Sequence, residues 1–422
     1  MKKKIATTAV KKGMYVSELD RPWVDTPFLF QGFEITTDEE LAQLRKYCQH
    51  VYIDITLGAD VEPAAPGQNY AQEADAEQKS STEPYEAAVR TQAEDARARA
   101  ALHPDQTTLE EELEPAKAVE RHTRDAVYSI MQDVRLGKSI DTASAKQTVA
   151  EMVDSIIRNP DALICLSQLK SKDEYTALHS LRVCILALAF GRHLDFNREE
   201  LNILGLGALL HDIGKMKVPT EILNKPGRLT AGEFETMKSH VPQGVTILKS
   251  TRGIPDLAID VARYHHERFN GAGYASGLKG EQISRFGLIG AIVDCYDAIT
   301  SDRAYHSGLS SHEALKKMYE WRVTDFDAML VEQFIQCMGI YPIGSLVEMN
   351  TGSIGVVVTI NRMRRLKPRI VLVLTPEKLP YLKPKIVNLS ERAGNGSHRA
   401  LEIRKVIAAG TYGVNPTDYL PV

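Results

Sequence analysis

The sequence has no long apolar segment and no excess of basic residues. No run of about 18 consecutive apolar residues occurs, and the basic start of the chain is not followed by the apolar core of a signal peptide. We therefore expect a cytoplasmic protein without membrane insertion. The net charge of -4 at pH 7 argues against a protein that coats polymeric nucleic acid, because such proteins usually carry a basic excess.

Cysteine is also sparse. The five cysteines form no Cys-x-x-Cys pair, and their odd number fits reduced thiols better than a disulfide framework. With 422 residues, the chain exceeds the size at which one hydrophobic core keeps growing, so two or three domains are expected.

Composition and periodicity divide the chain into five parts. Residues 1–58 mix strand and helix signals, in which Thr37 and Glu40 have the spacing of a capping box before a helix and His50–Ile55 reads as a strand. Residues 59–106 are rich in Ala, Glu, Gln, Pro and Ser, which predicts a flexible linker. Residues 107–158 are predicted to form connecting helices, and residues 159–345 carry apolar residues at helical spacing throughout. Residues 346–422 contain β-branched runs that predict a hairpin within a short β-rich tail. The expected fold is mainly α, with a small α+β module before the helical domain.

The segment Leu209–Lys215 combines chemical groups that a simple packed helix would not need. It places an imidazole, a carboxylate and an ammonium within five residues, directly after an apolar run. Burying His211 and Asp212 is costly unless each group is paired or bound to a cation. This segment therefore predicts a metal site.

Other metal-binding residue types occur in apolar or helical sequence on both sides of this segment. The candidate ligands are His179, His211, Asp212, His240, His265, His266 and Asp294. Imidazoles and carboxylates without thiolates suit divalent iron, manganese, zinc, nickel or cobalt. The candidates outnumber the four ligands of one tetrahedral ion, which favours two ions. Asp212 is the natural carboxylate to bridge them.

Each candidate also has an ordinary structural explanation when it is taken alone. A single histidine on an apolar helix is usually a hydrogen-bonded core residue, and Asp294 could equally be half of a buried ion pair. The combination makes coincidence much less plausible than a metal centre. Adjacent His265 and His266 point about 100° apart on a helix, so they can bind one ion only where the helix ends, and Gly271 fits such an ending.

Two metal ions about 3.5 to 4 Å apart would generate a bridging hydroxide and stabilise an in-line displacement at phosphorus. The metal site therefore predicts phosphoester hydrolysis. Lys215, expected one helical turn from His211 and on its face, and Arg303 are candidate phosphate-binding cations. The loop Asn270–Tyr274 has glycines that allow close backbone approach and a tyrosine ring that can stack on a base. Taken alone, such a loop is more often an ordinary turn.

Together, these residues resemble the HD-GYP domain, the helical class of cyclic di-GMP phosphodiesterase within the HD phosphohydrolase superfamily. The resemblance covers about residues 160 to 345. It rests on His179, His211–Lys215, His240, His265–Glu267, Gly271–Tyr274 and Asp294–Arg303. Residues 1 to about 58 resemble a small domain of unknown function that commonly precedes HD-GYP domains in bacteria. A bacterial signalling protein is implied, with signalling partners or self-association as further expectations.

The resemblance implies two sets of metal ligands that share Asp212. One set is His179, His211, Asp212 and Asp294. The other set is Asp212, His240, His265 and His266. Asp212 and Lys215 would be the catalytic residues, and Lys215 would also hold the scissile phosphate. The ions are expected to be iron or manganese, with nickel, cobalt and zinc as alternatives.

The resemblance also implies contacts to the nucleotide, and here the chain departs from the family pattern. The contacting residues would be Lys215, Gly271, Gly273, Tyr274, Arg303 and His306. Asn270 and Ala275 replace a usual Asp and Pro, Ala304 replaces a usual Pro, and His306 stands where Lys or Arg is common. A third metal ion is not expected, because Tyr175 occupies the position of the glutamate that binds it in some family members.

The implied reaction is hydrolysis of cyclic di-GMP to linear pGpG, with further cleavage to GMP left open. Two alternatives also stay open. The chain could be a receptor or scaffold that binds cyclic di-GMP with little turnover, or an HD hydrolase of another cyclic dinucleotide or of a nucleotide monophosphate. The loop departures predict altered nucleotide recognition beside an intact metal centre.

Overall fold

The computed structural model describes residues 2–21, 23, 26, 28, 30, 32–60, 104–169, 175–302, 308–322, 324–391 and 401–421. The chain divides into two compact units, Met1–Ala96 and Arg97–Val422, which are described separately. Most of the predicted linker and the residues Arg303, Ala304 and His306 lie outside the described residues. Among those that are described, no helix combines the length and the apolar character needed to cross a membrane.

The N-terminal unit is a small α+β fold. Its elements are β1 (Lys2–Ala6), β2 (Tyr15–Leu19), β3 (Phe33–Glu34), α1 (Asp38–Tyr47) and β4 (His50–Asp54). The strands form an antiparallel sheet in the order β1-β4-β2-β3. Helix α1 begins at the predicted capping box, in which the Thr37 side chain accepts from the Glu40 amide and Glu40 accepts from the Thr37 amide. The prediction of a capped helix followed by a strand is confirmed.

The second unit is mainly helical, as predicted. Its helices are α2 (Leu109–Arg135), α3 (Thr142–Arg158), α4 (Pro160–Ser167), α5 (Tyr175–His193), α6 (Arg198–Leu210), α7 (Thr220–Leu223), α8 (Ala231–Lys238), α9 (His240–Ser250), α10 (Asp256–Tyr264), α11 (Arg285–Thr300), α12 (Ser311–Trp321) and α13 (Ala328–Met338). A 3-10 helix, Ile213–Lys217, follows α6. Helices α2 and α3 coincide with the helices predicted from residue spacing.

Helix α5 is the centre of the helical core, and its residues from Val183 to Phe190 are all buried. It packs against α6 and α11, and α6 packs against α10. Gly207 permits the close approach of α6 to α10, because a Cβ atom there would lie 2.6 Å from the carbonyl oxygen of Ala258. The C-terminal ends of α6 and α10 are thereby held side by side, with the His211 and His265 rings 4.9 Å apart.

The C-terminal β region is larger than the predicted short tail with a hairpin. The strands are β5 (Leu346–Met349), β6 (Ile354–Thr359), β7 (Arg369–Leu374), β8 (Pro380–Asn388) and β9 (Ile403–Ile407). They form one antiparallel sheet in the order β8-β7-β6-β5-β9. The predicted hairpin is its β6–β7 pair. The pairing of β5 with β9 joins Leu346 to Ile407, a distant contact that no local pattern reveals.

A buried ion pair joins this sheet to the helices. The carboxylate of Asp161, in the first turn of α4, is 3% exposed and pairs with the guanidinium of Arg362, which follows β6. The other oxygen of Asp161 accepts from the amide of Ile360 at 3.3 Å. Arg362 also reaches Asp105 at 3.4 Å. The β6–β7 connection is therefore part of the packing of the helical region.

Candidate metal centre

Three of the predicted ligands meet at one position in the helical core. His179 lies on α5, His211 directly follows α6, and Asp294 lies on α11. Nε2 of His179 is 3.0 Å from Oδ1 of Asp294, and Nε2 of His211 is 3.8 Å from the same oxygen. All three side chains are buried. The packing of α5, α6 and α11 thus brings together three metal-binding groups from distant parts of the chain.

Three further histidines meet beside this first group. His240 is the first residue of α9, and His265 and His266 directly follow the last residue of α10. Nε2 of His240 is 3.3 Å from Nε2 of His265. Helix α10 ends at Tyr264, directly before the two adjacent histidines, as they require in order to bind one ion. Both imidazoles therefore point to the same position. These three residues and Asp212 each offer a ligand atom within 4.8 Å of the others, as do the residues of the first group.

Asp212 lies between the two groups and turns one oxygen to each. Its Oδ2 is 3.3 Å from Nε2 of His211 and 3.6 Å from Nε2 of His179. Its Oδ1 is 3.4 Å from Nε2 of His240 and 3.7 Å from Nε2 of His265. The residue is completely buried. This is the arrangement of a carboxylate that can bridge two ions.

The hydrogen bonds of the histidines leave their ligand atoms directed to the centre. Nδ1 of His211 donates to the carbonyl of Ala208 at 2.7 Å, and Nδ1 of His240 donates to that of Met237 at 2.7 Å. Each bond fixes the tautomer with an unprotonated Nε2, the form that binds a metal ion. Within the described part of the chain, Nε2 of His211 and Oδ1 of Asp212 are buried without a hydrogen-bond partner. Such atoms fit divalent ions, because burial without any partner is costly.

The electrostatics of the pocket also fit a cation site. Burial, aided by His211, lowers the pKa of His265 to about 3, and burial likewise lowers the pKa of His266 and His240. Burial alone would raise the pKa of Asp212, but Lys215 and His211 outweigh it and hold that pKa well below the usual range. At neutral pH these groups are therefore neutral imidazoles and an ionised carboxylate, which are the protonation states of metal ligands.

His179 differs from the other histidines. Burial favours its neutral form, but Asp294 and Asp297 outweigh burial and raise its pKa to about 9. Without an ion, a proton on His179 balances the two carboxylates. A divalent cation at this position would replace that proton, since either one balances the negative charge of the neighbouring carboxylates.

Sequence comparison places this geometry in a known family. The HD domain family matches residues 161–330, and a domain of unknown function matches residues 2–145. The cyclic di-GMP phosphodiesterase PA4108 of Pseudomonas aeruginosa is 38% identical over 397 residues, which span 93% of this chain and 90% of that protein. The chain belongs to the HD-GYP family of phosphodiesterases. The match to PA4108 extends over the N-terminal domain as well as the HD domain.

Other relatives match a shorter part of the chain. A cyclic di-GMP phosphodiesterase of Thermotoga maritima is 34% identical over 194 residues, 46% of this chain and 52% of that protein. The 3'3'-cGAMP-specific phosphodiesterase 2 of Vibrio cholerae is 31% identical over 168 residues, 40% of this chain and 32% of that protein. The chain spans only about half or less of these two relatives.

Lys215 of this HD-GYP protein lies beside the centre, but not where the sequence placed it. The prediction that it shares a helical face with His211 is wrong, because α6 ends at Leu210 and the 3-10 helix Ile213–Lys217 follows. The ammonium instead pairs with Oδ2 of Asp212, and the side chain is 19% exposed. Lys215 therefore stands between the buried carboxylate and the solvent.

A buried glutamate fixes the loop after His266 by hydrogen bonds to its backbone. Glu267 is 1% exposed, and its carboxylate accepts from the amides of Ser276 at 2.7 Å and Leu278 at 3.1 Å. A Cβ atom at Gly273 would lie 2.4 Å from the amide nitrogen of Arg268. The immediate reason for this glycine is thus the packing of the loop on itself, while its predicted contact with substrate stays a prediction.

Tyr274 and Gly271 complete the described part of the predicted nucleotide site. The Tyr274 ring stacks on that of His266 with centroids 4.6 Å apart, and Gly271 has a positive φ of 84°, which favours glycine. The aromatic ring therefore lies directly beside the centre, and its contact with a nucleotide stays a prediction. Arg303 and His306 lie outside the described residues, so their roles stay predictions.

Two residues that hold His179 are not among the predicted site residues. Nδ1 of His179 lies 2.7 Å from Oδ2 of Asp297, and Nε of Arg182 donates to Oδ1 of the same carboxylate at 2.6 Å. A carboxylate behind a histidine orients the ring and strengthens it as a ligand. The spacing contains the signal, because Asp297 is three residues after Asp294 and Arg182 is three after His179, so each pair shares a helix face.

Proposed function

We propose that this chain is a metal-dependent phosphodiesterase that hydrolyses cyclic di-GMP to linear pGpG. The observation that carries the proposal is the position of Asp212, whose two oxygens face two separate groups of histidines. Two ions in these groups would be held by His179, His211 and Asp294 on one side and by His240, His265 and His266 on the other, with Asp212 shared. Iron or manganese is the expected metal.

When bound, such ions lower the pKa of water and neutralise the charge that develops on a phosphodiester. The chain's own residues would do the remaining work. The ammonium of Lys215, at the solvent side of Asp212, would hold the phosphate over the centre as a point charge. Tyr274 would position the adjacent nucleotide, because its ring is stacked on that of His266.

The relatives support this substrate class. PA4108, which matches nearly the whole chain, is named for cyclic di-GMP, and the match includes the N-terminal domain. The relative named for 3'3'-cGAMP is matched over a shorter region. A cyclic dinucleotide with two guanines is therefore the first substrate to test, and 3'3'-cGAMP is the second.

The experiment is incubation of metal-analysed protein with cyclic di-GMP, followed by chromatographic identification of the products. We expect two equivalents of bound metal, formation of pGpG, and loss of both metal and turnover in Asp212→Ala. Asp256→Ala is a matched control, because this carboxylate is exposed at the opposite end of α10. Wild-type turnover in Asp212→Ala would refute the proposal. Tight binding without product under manganese, iron, cobalt or nickel would favour a receptor instead.

A further inference from the structure

An exposed aromatic residue lies beside the centre without a clear role in folding. Phe234, on α8, is 44% exposed, and α8 contributes no buried residue to the core. The helix is fixed by polar interactions instead, namely a capping box between Thr230 and Glu233 and an ion pair between Glu233 and Lys225. The burial of Phe234 therefore adds little to stability, while its exposure to water carries a cost.

Phe234 continues a row of rings that starts at the metal centre. The row begins with His266, on which Tyr274 stacks at 4.6 Å. The Phe234 ring meets Tyr274 at 6.3 Å, with an angle of 78° between the ring planes. The row thus extends from a candidate metal ligand to a ring that is 44% exposed to solvent.

A cation accompanies this row. Nζ of Lys238 lies 4.8 Å from the centroid of the Phe234 ring and 5.5 Å from that of Tyr274. Its ammonium also bonds to the exposed carboxylate of Glu235 at 2.8 Å, a surface pair of the kind that contributes little. Aromatic faces next to a cation are the combination that binds bases together with their phosphate backbone.

We infer that Phe234 and Lys238, together with Tyr274, form the surface that binds the nucleotide outside the reacting phosphate. This inference rests on the proposed function and extends it to the specificity of the site. One purine of the cyclic dinucleotide stacks on the exposed Phe234 ring, and the ammonium of Lys238 contacts the sugar-phosphate part of the same nucleotide. Among the described residues, no hydrogen bond, ion pair or ring contact joins Phe234 or Lys238 to a candidate ligand, so both act on substrate binding and leave the metal ions in place.

The test compares Phe234→Ala with Phe234→Trp on two substrates. One is cyclic di-GMP, and the other is methyl p-nitrophenyl phosphate, a small phosphodiester without a purine. Loss of a stacked base typically weakens binding by about tenfold or more. We expect Phe234→Ala to raise the KM for cyclic di-GMP by about tenfold, with unchanged metal content and unchanged kcat/KM for the small diester. Phe234→Trp should keep the KM within about twofold of wild type, because it preserves an aromatic face.

A binding measurement without turnover separates this test from the test of the proposed function, and two further variants accompany it. Calorimetric titration of cyclic di-GMP into wild type and Phe234→Ala measures the same binding contact without turnover. Leu257→Ala is the matched control, since Leu257 is an apolar residue exposed to a similar extent, 45%, at the far end of α10. The difference in affinity between Lys238→Gln and wild type should become smaller as the salt concentration rises, because the contribution of the Lys238 ammonium is electrostatic.

The outcomes separate the proposed function from the inference about Phe234. A wild-type protein that binds cyclic di-GMP without hydrolysing it would contradict the proposed function, while a weaker affinity of Phe234→Ala in that protein would still support the inference. Wild-type KM and affinity in Phe234→Ala would overturn the inference. An equal loss on both substrates, or a loss of metal, would also overturn it, because either result would mean that Phe234 supports the centre structurally.

Discussion

The substitution Gly214→Ala should remove one metal site without replacing any candidate ligand. Gly214 lies in the 3-10 helix after Asp212, and its Cα faces the start of α9. A Cβ atom at this position would lie 1.9 Å from the carbonyl oxygen of His240 and 2.5 Å from the amide nitrogen of Gly244. Both are backbone atoms, so no side chain can turn away to make room.

The size of the effect follows from these distances. Cβ atoms are essentially never found closer than 3.0 Å to such atoms, so the two segments must separate by about 1 Å, whereas metal-ligand distances tolerate about 0.2 Å. Nε2 of His240 and Oδ1 of Asp212, now 3.4 Å apart, could not both reach one ion. We expect bound metal to fall from two equivalents to one, turnover to fall by about 100-fold, and the free energy of unfolding to fall by roughly 1–3 kcal/mol from overpacking.

The assay is elemental analysis of protein reconstituted with manganese or iron, combined with turnover and urea unfolding. Gly232→Ala is the matched control, because Gly232 lies on α8 with no atom within 4 Å of a new Cβ. That control should keep full metal content and gain up to about 1 kcal/mol from helix propensity. Two tightly bound metal ions and wild-type turnover in Gly214→Ala would refute the reasoning.

Three further predictions concern other parts of the helical unit. Asp297→Asn should weaken metal binding by about 10- to 100-fold, measured by competition with a chelator, because His179 loses the carboxylate behind it; unchanged affinity would contradict this role. Arg362→Ala should lower the free energy of unfolding by about 3–5 kcal/mol, since it leaves the buried carboxyl group of Asp161 without its counter-ion, while the double variant with Asp161→Leu should recover part of that loss in urea titrations. Burial lowers the pKa of His312 to about 4, so the folded state resists its protonation, and stability should fall as pH drops from about 6.5 towards 4. We expect urea titrations of metal-free protein to show that the free energy of unfolding falls between pH 7.5 and pH 4.5. The fall should be roughly 2–3 kcal/mol smaller in His312→Gln than in wild type; equal falls would show that His312 is not responsible.

What the sequence predicted well depends on local patterns. The capping box of Thr37 and Glu40 and the helical spacing of α2 and α3 involve residues within one or two turns, and the structure confirms them. The candidate ligands were chosen by residue type in apolar helical context, and the structure brings all of them together. Their binding of metal stays a prediction.

What the sequence did not predict depends on distant contacts or on small changes of backbone. Strand β9 pairs with β5 across more than fifty residues, and β8 contains Pro380 and Pro384, which weaken a strand signal. The predicted position of Lys215 was wrong because it assumed helical spacing beyond Leu210, where α6 ends. Asp297 was overlooked because a carboxylate behind a ligand follows from the three-dimensional contact with His179, which links α11 to α5.

The pairing of Asp161 with Arg362 has a consequence for anyone who shortens this chain. A fragment ending near residue 345, where the helical pattern stops, would contain every described candidate ligand and yet would lose the counter-ion of a carboxylate that is 3% exposed. Such a fragment should express poorly or aggregate, even though its catalytic motifs are complete. Any fusion or domain exchange should therefore include the sheet β5–β9 together with the helices. The part of the chain that can be transferred as a folded domain is larger than the part that holds the candidate ligands.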